Sequence, residues 1–171
     1  MTVRWNAKPT LRRPALVAAF SGWNDAADAA SDGVRWLARS VGARVFATLD
    51  TEEYLDFQAA RPSVELVDGV IREIQWPALA FSAGSVPGGR DLVLLLGVEP
   101  NLRWPMFCED VISVARATGC RTIVASVAAD NRAGLRLHQS LGFEVVGTLK
   151  NAAYKFSRWM DITLVQRSLD Q

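Results

Sequence analysis

The chain has 171 residues, half of them hydrophobic and 22% charged, a balance that suits one folded domain and excludes a disordered tail. Nineteen basic residues against eighteen acidic ones leave a net charge of +1, so no overall field draws in nucleic acid or anionic lipid. Its longest apolar runs are too short to cross a bilayer, which excludes a membrane-spanning helix.

The opening MTVRWNAKPTLRRPALVAAF sets basic residues before an apolar run, the outline of a signal peptide, yet the run is short and SGWNDAAD follows it in place of a cleavage context. PALVAAF (14–20) therefore reads as a first strand covered on both faces, and the cytoplasm is the expected compartment. Asn24 or Asp25 is placed to cap the next helix, because a short side-chain oxygen accepts from the free amides of a first turn. In that helix Ala26, Ala29, Ala30, Val34, Leu37 and Val41 form one stripe, and Gly42 stops it. RVFATLD is the second strand.

Between them and the next strong strand, Val64 and Leu66 alternate, Asp68-Gly69 marks a turn, and Val70, Ile74 and Trp76 follow at even spacing with Arg72 interrupting. Both turn residues tolerate positive φ, so a hairpin is expected over 64–76. DLVLLLGVEP is the most hydrophobic strand and is expected at the centre of the sheet. Pro105 suits the first turn of a helix that Gly119 ends. TIVASVAAD is a further buried strand, NRAGLRLHQSLGF a helix, and EVVGTLKNAAYKFSRWMDITLVQRSL a closing strand pair. The expected fold is α/β: a single three-layer domain over 1–171, with a mixed, largely parallel sheet and helices on both faces. TIVASVAAD is expected parallel beside DLVLLLG, joined through a right-handed crossover.

Two resemblances cover different parts of this order. AAFSGWNDAADAA, ATLDTEEYLDFQAARP and GRDLVLLLGVEPNLRW, within residues 14–112, resemble the actinobacterial branch of the proteasome assembly chaperone 2 family. RTIVASVAADN, LRLHQSLGFEVVG and YKFSRWMDITLVQRSL, within residues 112–169, resemble the C-terminal portion of GNAT N-acetyltransferases of the phosphinothricin-acetyltransferase type. Together they imply a chimera with a chaperone-like part (1–112) and a GNAT-like part (113–171), joined in or near EDVISVARATG. The chaperone-like part stops before that family's later histidine-containing segment and C-terminal helices.

The GNAT resemblance implies an Arg/Gln-x-x-Gly-x-Gly/Ala loop opening a helix, whose amides hold the coenzyme A pyrophosphate. No such run occurs in the sequence: SVPGGR leads into a strand, and RATGC leaves a helix. If the chain is an enzyme, the resemblance implies that Asn131 contacts the cofactor and His138 is the catalytic acid, since an imidazole titrates near neutral pH. The competing reading makes Asn131 an N-cap of a short helix that packs Gly134, Leu137 and Leu141 on the sheet.

Asp25, Asp28 and Asp32, and separately Glu52, Glu53 and Asp56, are acidic groups read as dipole and solvation features, and no metal site is expected. Cys108 and Cys120 match no metal or redox spacing and are expected to be ordinary thiols. Trp23 and Trp104 stand at loop or helix starts as candidate exposed anchors for a partner.

Two functions follow. One is a noncatalytic, chimera-like interaction domain without a cofactor, with a chaperone-family-like N-terminal part. It is expected to self-associate or to bind a protein partner, because truncating both families bares apolar surface or a sheet edge. The alternative is a GNAT-type N-acetyltransferase that moves acetyl from acetyl-CoA to an amine.

Overall fold

A computed structural model describes residues 2–22, 25–68, 70–155 and 157–169. The chain divides into two compact units, Met1–Asp110 and Val111–Gln171.

In the first unit, β1 (Val3–Trp5), β2 (Ala15–Ser21), β3 (Arg44–Leu49), β4 (Ser63–Val67), β5 (Val70–Gln75), β6 (Leu79–Ser85) and β7 (Asp91–Val98) accompany α1 (Ala29–Ser40), α2 (Thr51–Tyr54) and the first turns of α3 (Trp104–Ala117). Five strands form one sheet in the order β1-β3-β6-β7-β2, and β4 with β5 forms a separate ribbon. The class is α/β and the sheet is mixed, as the sequence predicts. Its parallel share is smaller than expected: β2–β7 is parallel, whereas β1–β3, β3–β6 and β6–β7 are antiparallel. The short link VPGGR between β6 and β7 explains part of this, because a parallel pair needs a crossover of a dozen residues or more.

β7 is an interior strand. Val93, Leu94 and Leu95 are buried. On one face Leu94 joins Ala19 of β2 and Val34 of α1, with Val17, Leu37, Leu92 and Leu96 packed around them. Phe20, one residue on from Ala19, takes the opposite face and meets Phe107 of α3 edge-on at 5.5 Å, and Tyr54 meets the same ring at 5.4 Å. Helical side chains thus cover both faces of the β2 edge. At the head of β7, buried Asp91 accepts from the Arg12 amide (2.5 Å), which ties the lead into β2 to its neighbour.

The entry to α1 is capped by Asp25, whose carboxylate accepts from the amides of Ala30 (2.8 Å) and Ser31 (3.2 Å). Asn24 lies outside the described residues. The expected hairpin is present as β4–β5, with Asp68 at φ 52 in its turn; Gly69 lies outside the described residues.

The second unit contains the rest of α3, then β8 (Thr122–Ala128), α4 (Arg132–Ser140), β9 (Glu144–Lys155) and β10 (Arg158–Ser168). Its sheet has the order β8-β10-β9 and both pairs are antiparallel. TIVASVAAD, the strand β8, therefore pairs with β10 and not with DLVLLLG, contrary to the sequence-based expectation. β7 already spends one edge on β6 and the other on β2, so no edge remains for it. Val127 of β8 and Thr163 and Val165 of β10 are buried, as are Leu141 and Phe143 beyond α4.

Two consequences can be measured. A Cβ at Gly97 meets the Ala78 carbonyl oxygen and the Leu79 side chain, so Gly97→Ala should lower stability by roughly 1–3 kcal/mol in urea unfolding. An unchanged midpoint contradicts that close packing.

Buried Tyr54 donates to Asp110, whose carboxylate also receives the Thr2 hydroxyl. Burial, and then the bond to Asp110, pushes the phenol from 10.0 up to about 12. The unfolded chain loses this proton near 10.0 while the folded chain keeps it, so stability should fall as pH rises from there to about 12. In a Tyr154→Phe protein, whose single tyrosine is Tyr54, tyrosinate absorbance should appear near pH 12. Tyr54→Phe should abolish this part of the alkaline loss.

Candidate functional site

The residues singled out by sequence meet on α4. Asn131 precedes the helix, and its Oδ1 accepts from the Gly134 amide at 2.9 Å. Three more groups at this entry are paired: the Asn131 amide donates to Ala128 (2.9 Å), that of Arg132 to Asp130 (3.0 Å) and that of Leu135 to Asn131 (3.0 Å). One helical turn on, His138 Nδ1 lies 2.8 Å from the Gly134 carbonyl. A carbonyl only accepts, so Nδ1 carries the proton and donates to it. Nε2 has no hydrogen-bond partner among the described residues. The half-buried ring packs edge-on against Phe143 at 5.2 Å.

Gly134 is the hub of this arrangement, because its amide serves Asn131 and its carbonyl serves His138. A Cβ there would stand 2.8 Å from Asn131 Nδ2 and 3.1 Å from Val127 Cγ1. Asn131 and His138 thus lie along one helix stripe, with Gly134 between them. The ladder stiffens a short helix, and it leaves Nε2 as the nitrogen that could exchange a proton.

The helix starts are poor anion cradles. Pro105 in the first turn of α3 has no amide, and the Phe107 amide donates to Arg103 at 3.1 Å. A shallow groove in the second unit is lined by Arg116, Gly142, Glu144, Gln166 and Arg167. The Arg167 guanidinium there donates to the Leu141 carbonyl, and the Glu144 carboxylate opposes any anion.

The acidic groups are structural. Asp25 caps α1, and its hydrogen bond with Ser31, then the amides of Ala30 and Ser31 and the charge of Arg35, hold its carboxyl below the usual range against a smaller desolvation effect. Asp32 pairs with Arg35 at 2.7 Å, and the Asp28 carbonyl accepts from Ser31. Glu53 pairs with Arg103, while Asp56 accepts from the Gln58 amide at 2.9 Å. Glu52 is exposed. Among the described residues no three His, Cys, Asp or Glu side chains are grouped to hold a metal. Cys108 and Cys120 form no disulfide, and burial, with the Glu109 charge added, pushes Cys108 up to about 11. That favours the unreactive thiol.

The exposed anchors differ from those expected. Trp104 is half-buried edge-on against Phe107 at 5.6 Å, so it is not an open anchor. Trp23 lies outside the described residues. Trp36, Trp76 and Trp159 are instead exposed by 66%, 61% and 63%. Trp36 falls off the Val34–Leu37 stripe of α1, a signal that the helical spacing carries. Trp159 pairs with Tyr154 across β9–β10 at 5.3 Å. Trp76 leans on Phe57 at 5.4 Å, and it shares an outward face with Val64, Leu66 and Ile74.

Comparison with known proteins places this geometry in a family. Residues 19–165 match the PAC2 family. A solved proteasome-assembly chaperone homologue from Mycobacterium tuberculosis is 39% identical, with a TM-score of 0.57, over 71% of this chain and 59% of that one. A PAC2 family protein from Streptomyces avermitilis is 37% identical, with a TM-score of 0.54, over 72% of this chain and 60% of that one. An L-methionine sulfoximine/L-methionine sulfone acetyltransferase from Pseudomonas paraeruginosa is 42% identical over 62 residues, 36% of each chain. A phosphinothricin N-acetyltransferase from Alcaligenes faecalis is 42% identical over 60 residues, which is 33% of this chain and 30% of that one. The chain therefore spans about a third of the acetyltransferases it matches and 59–60% of the two solved relatives. The match over residues 19–165 takes in most of the sequence, and the chain belongs to the PAC2 family.

The cap at α4 is directly testable. Asn131→Ala leaves the Gly134 amide without its acceptor and should cost about 1 kcal/mol in denaturant unfolding, whereas Asn131→Asp should retain most of it. Equal losses in the two variants would show that the cap contributes nothing.

Proposed function

We propose that this PAC2-family chain is a noncatalytic protein-interaction domain, chimera-like in joining a chaperone-family-like part to an acetyltransferase-like C-terminal part. It works by self-association and by contact with a protein partner. The observation that carries this reading is the use of the backbone at the helix starts. Pyrophosphate recognition needs several free amides converging on one point. At α4 the amides of Asn131, Arg132, Gly134 and Leu135 are already paired. At α3 one position is a proline and the Phe107 amide is taken.

The exposed Trp36, Trp76 and Trp159 support protein contact, because a large ring with a polar edge suits an interface. The name of the Mycobacterium tuberculosis relative, a proteasome-assembly chaperone homologue, points to the same class of partner. The acetyltransferase matches are about as long as the second unit, Val111–Gln171, which supports the two-part reading. Cys108 and Cys120, which are not joined in a disulfide, suit the reducing cytoplasm.

One observation favours a second reading as an acetyl-CoA-dependent N-acetyltransferase. His138 is oriented by Gly134 with Nε2 left without a partner, the state a general acid or base requires. Proton transfer of this kind is worth roughly a hundredfold to ten-thousandfold in rate, but only once a thioester is held within reach.

Calorimetric titration with acetyl-CoA, run alongside an amine acetylation assay, separates the two. No saturable heat and no acetyl transfer are expected. Acetylation by the purified protein that His138→Ala abolishes would replace the interaction reading with the enzymatic one.

A further inference from the structure

The helix α1 carries a glycine that nothing inside the chain accounts for. Gly33 stands within this twelve-residue helix, where glycine is a weaker helix former than alanine. It is not among the glycines with positive φ, and a Cβ added there meets nothing within 4 Å. Neither its backbone conformation nor internal packing therefore calls for glycine, and its missing side chain leaves an open notch on the surface. Trp36, one turn on, is 66% exposed, and its own ring does not fill that notch.

Ala29, Gly33, Trp36 and Ser40 follow at spacings of four, three and four, the rhythm of a coiled-coil seam. All four are exposed, while Val34 and Leu37 turn to the core. The Ser40 hydroxyl is folded back on the Trp36 carbonyl at 2.8 Å, so it leaves the seam low at that point. Asp32 and Arg39 flank the seam on one side, seven residues apart and opposite in sign. Asp32 uses Oδ1 on Arg35 at 2.7 Å. The Arg39 side chain has no ion-pair partner among the described residues.

A two-fold axis that crosses the helix midway between Val34 and Arg35 lies midway between Gly33 and Trp36, and also midway between Ala29 and Ser40. On an antiparallel second copy each Trp36 then faces the Gly33 notch of the other, and each Ala29 faces Ser40. The rotation keeps each flank on its own side, so Asp32 finds Arg39 of the other copy two residues, ~3 Å, from its own level, within the span of an arginine side chain. A parallel pair would instead set Trp36 on Trp36 and leave notch facing notch.

From the unused notch, the exposed ring that matches it and the opposite charges beside them, we infer that α1 is a homotypic docking surface. Two copies pack their α1 helices antiparallel, Trp36 of each in the Gly33 notch of the other, with Asp32 of each paired to Arg39 of the other. The inference rests on the self-association reading and gives it a location. The contact is isologous, so it closes at two copies. The helix is ~18 Å long, which makes a contact smaller than a standard interface, and the dimer is expected to form at micromolar concentrations or above.

The experiment is sedimentation velocity and light scattering on the full chain from micromolar to submillimolar concentrations, with circular dichroism and thermal unfolding of a dilute sample as checks on the monomer. Trp36→Ala removes an exposed ring and should weaken the dimer about tenfold. Gly33→Gln fills the notch with a better helix former, so the monomer should melt at a higher temperature while the dimer weakens about tenfold. A purely structural role for Gly33 would not move the two readouts in opposite directions. Asp32→Lys and Arg39→Glu each bring two like-charge pairs together and should each weaken the dimer about fivefold. Their combination should recover to within about twofold, since the pairs re-form with exchanged sign. Mixing the two single variants should give heterodimers in preference to either homodimer.

A dimer that keeps its affinity in Trp36→Ala and Gly33→Gln, or charge variants that are not rescued in combination, overturns the α1 assignment and leaves self-association standing. A wild-type chain that stays monomeric over the whole range overturns both.

Discussion

The first unit depends on keeping β7 dry on both faces and paired on both edges. DLVLLLGV offers water almost nothing to hydrogen-bond except its backbone, so each amide and carbonyl needs a neighbouring strand and each face needs a cover. β6 and β2 supply the edges, and Val34 and its neighbours on α1 supply part of one face. From this come the parallel pairing of β2, which must return past α1 to reach β7, and the antiparallel pairing of β6, which a short link joins. It also fixes Gly97 opposite Leu79, where the backbones approach too closely for a side chain. A saturated β7 has no edge to offer β8, so the second unit completes its sheet with β10 and β9.

Local physics made most elements legible. PALVAAF, DLVLLLGV and TIVASVA are apolar runs of strand length, and each is a strand. Gly42, Gly119 and Gly142 adopt φ of 57°, 85° and 77° where helices stop, as their sequence positions imply. Partner choice was not legible. Whether β8 joins β7 or β10 is decided by which edges other strands have filled, and periodicity holds no record of that. LAFSAGS was missed as a strand because its apolar residues are interleaved with Ala, Ser and Gly, which give little contrast. Trp104 was misjudged because its cover, Phe107, lies within its own helix turn, while Trp36 was overlooked although it sits off its helix's apolar stripe.

At α4 the sequence identified the participants without revealing how they share one residue. Asn131 is readable as a cap, and His138 stands out as the single histidine. That Gly134 gives its amide to one and its carbonyl to the other emerges only in three dimensions. The same geometry answers two needs. It finishes a nine-residue helix that has no fully buried side chain to hold it, and it fixes the imidazole tautomer. A histidine engaged in this way is stabilised whether or not a substrate ever reaches Nε2. Its orientation is therefore the weaker argument, and the pairing of the neighbouring amides, which decides whether an anion is held, carries more weight.

The ribbon β4–β5 shows why exposure of apolar residues need not lead to open-ended aggregation. A ribbon apolar on both faces would stack without limit, each added copy presenting the same surface as the last. Here the exposed Ser63, Glu73 and Gln75 keep part of the reverse face polar, which works against such stacking. The bulge on β5 works in the same sense along the edge. It breaks the even spacing of hydrogen-bonding groups and increases the local twist, which makes a flat, repeating edge-to-edge pairing harder to propagate. Trp76, held edge-on by Phe57, joins this face to the packed part of its unit. Ordering that large ring in this way leaves less side-chain freedom to be lost when anything covers it.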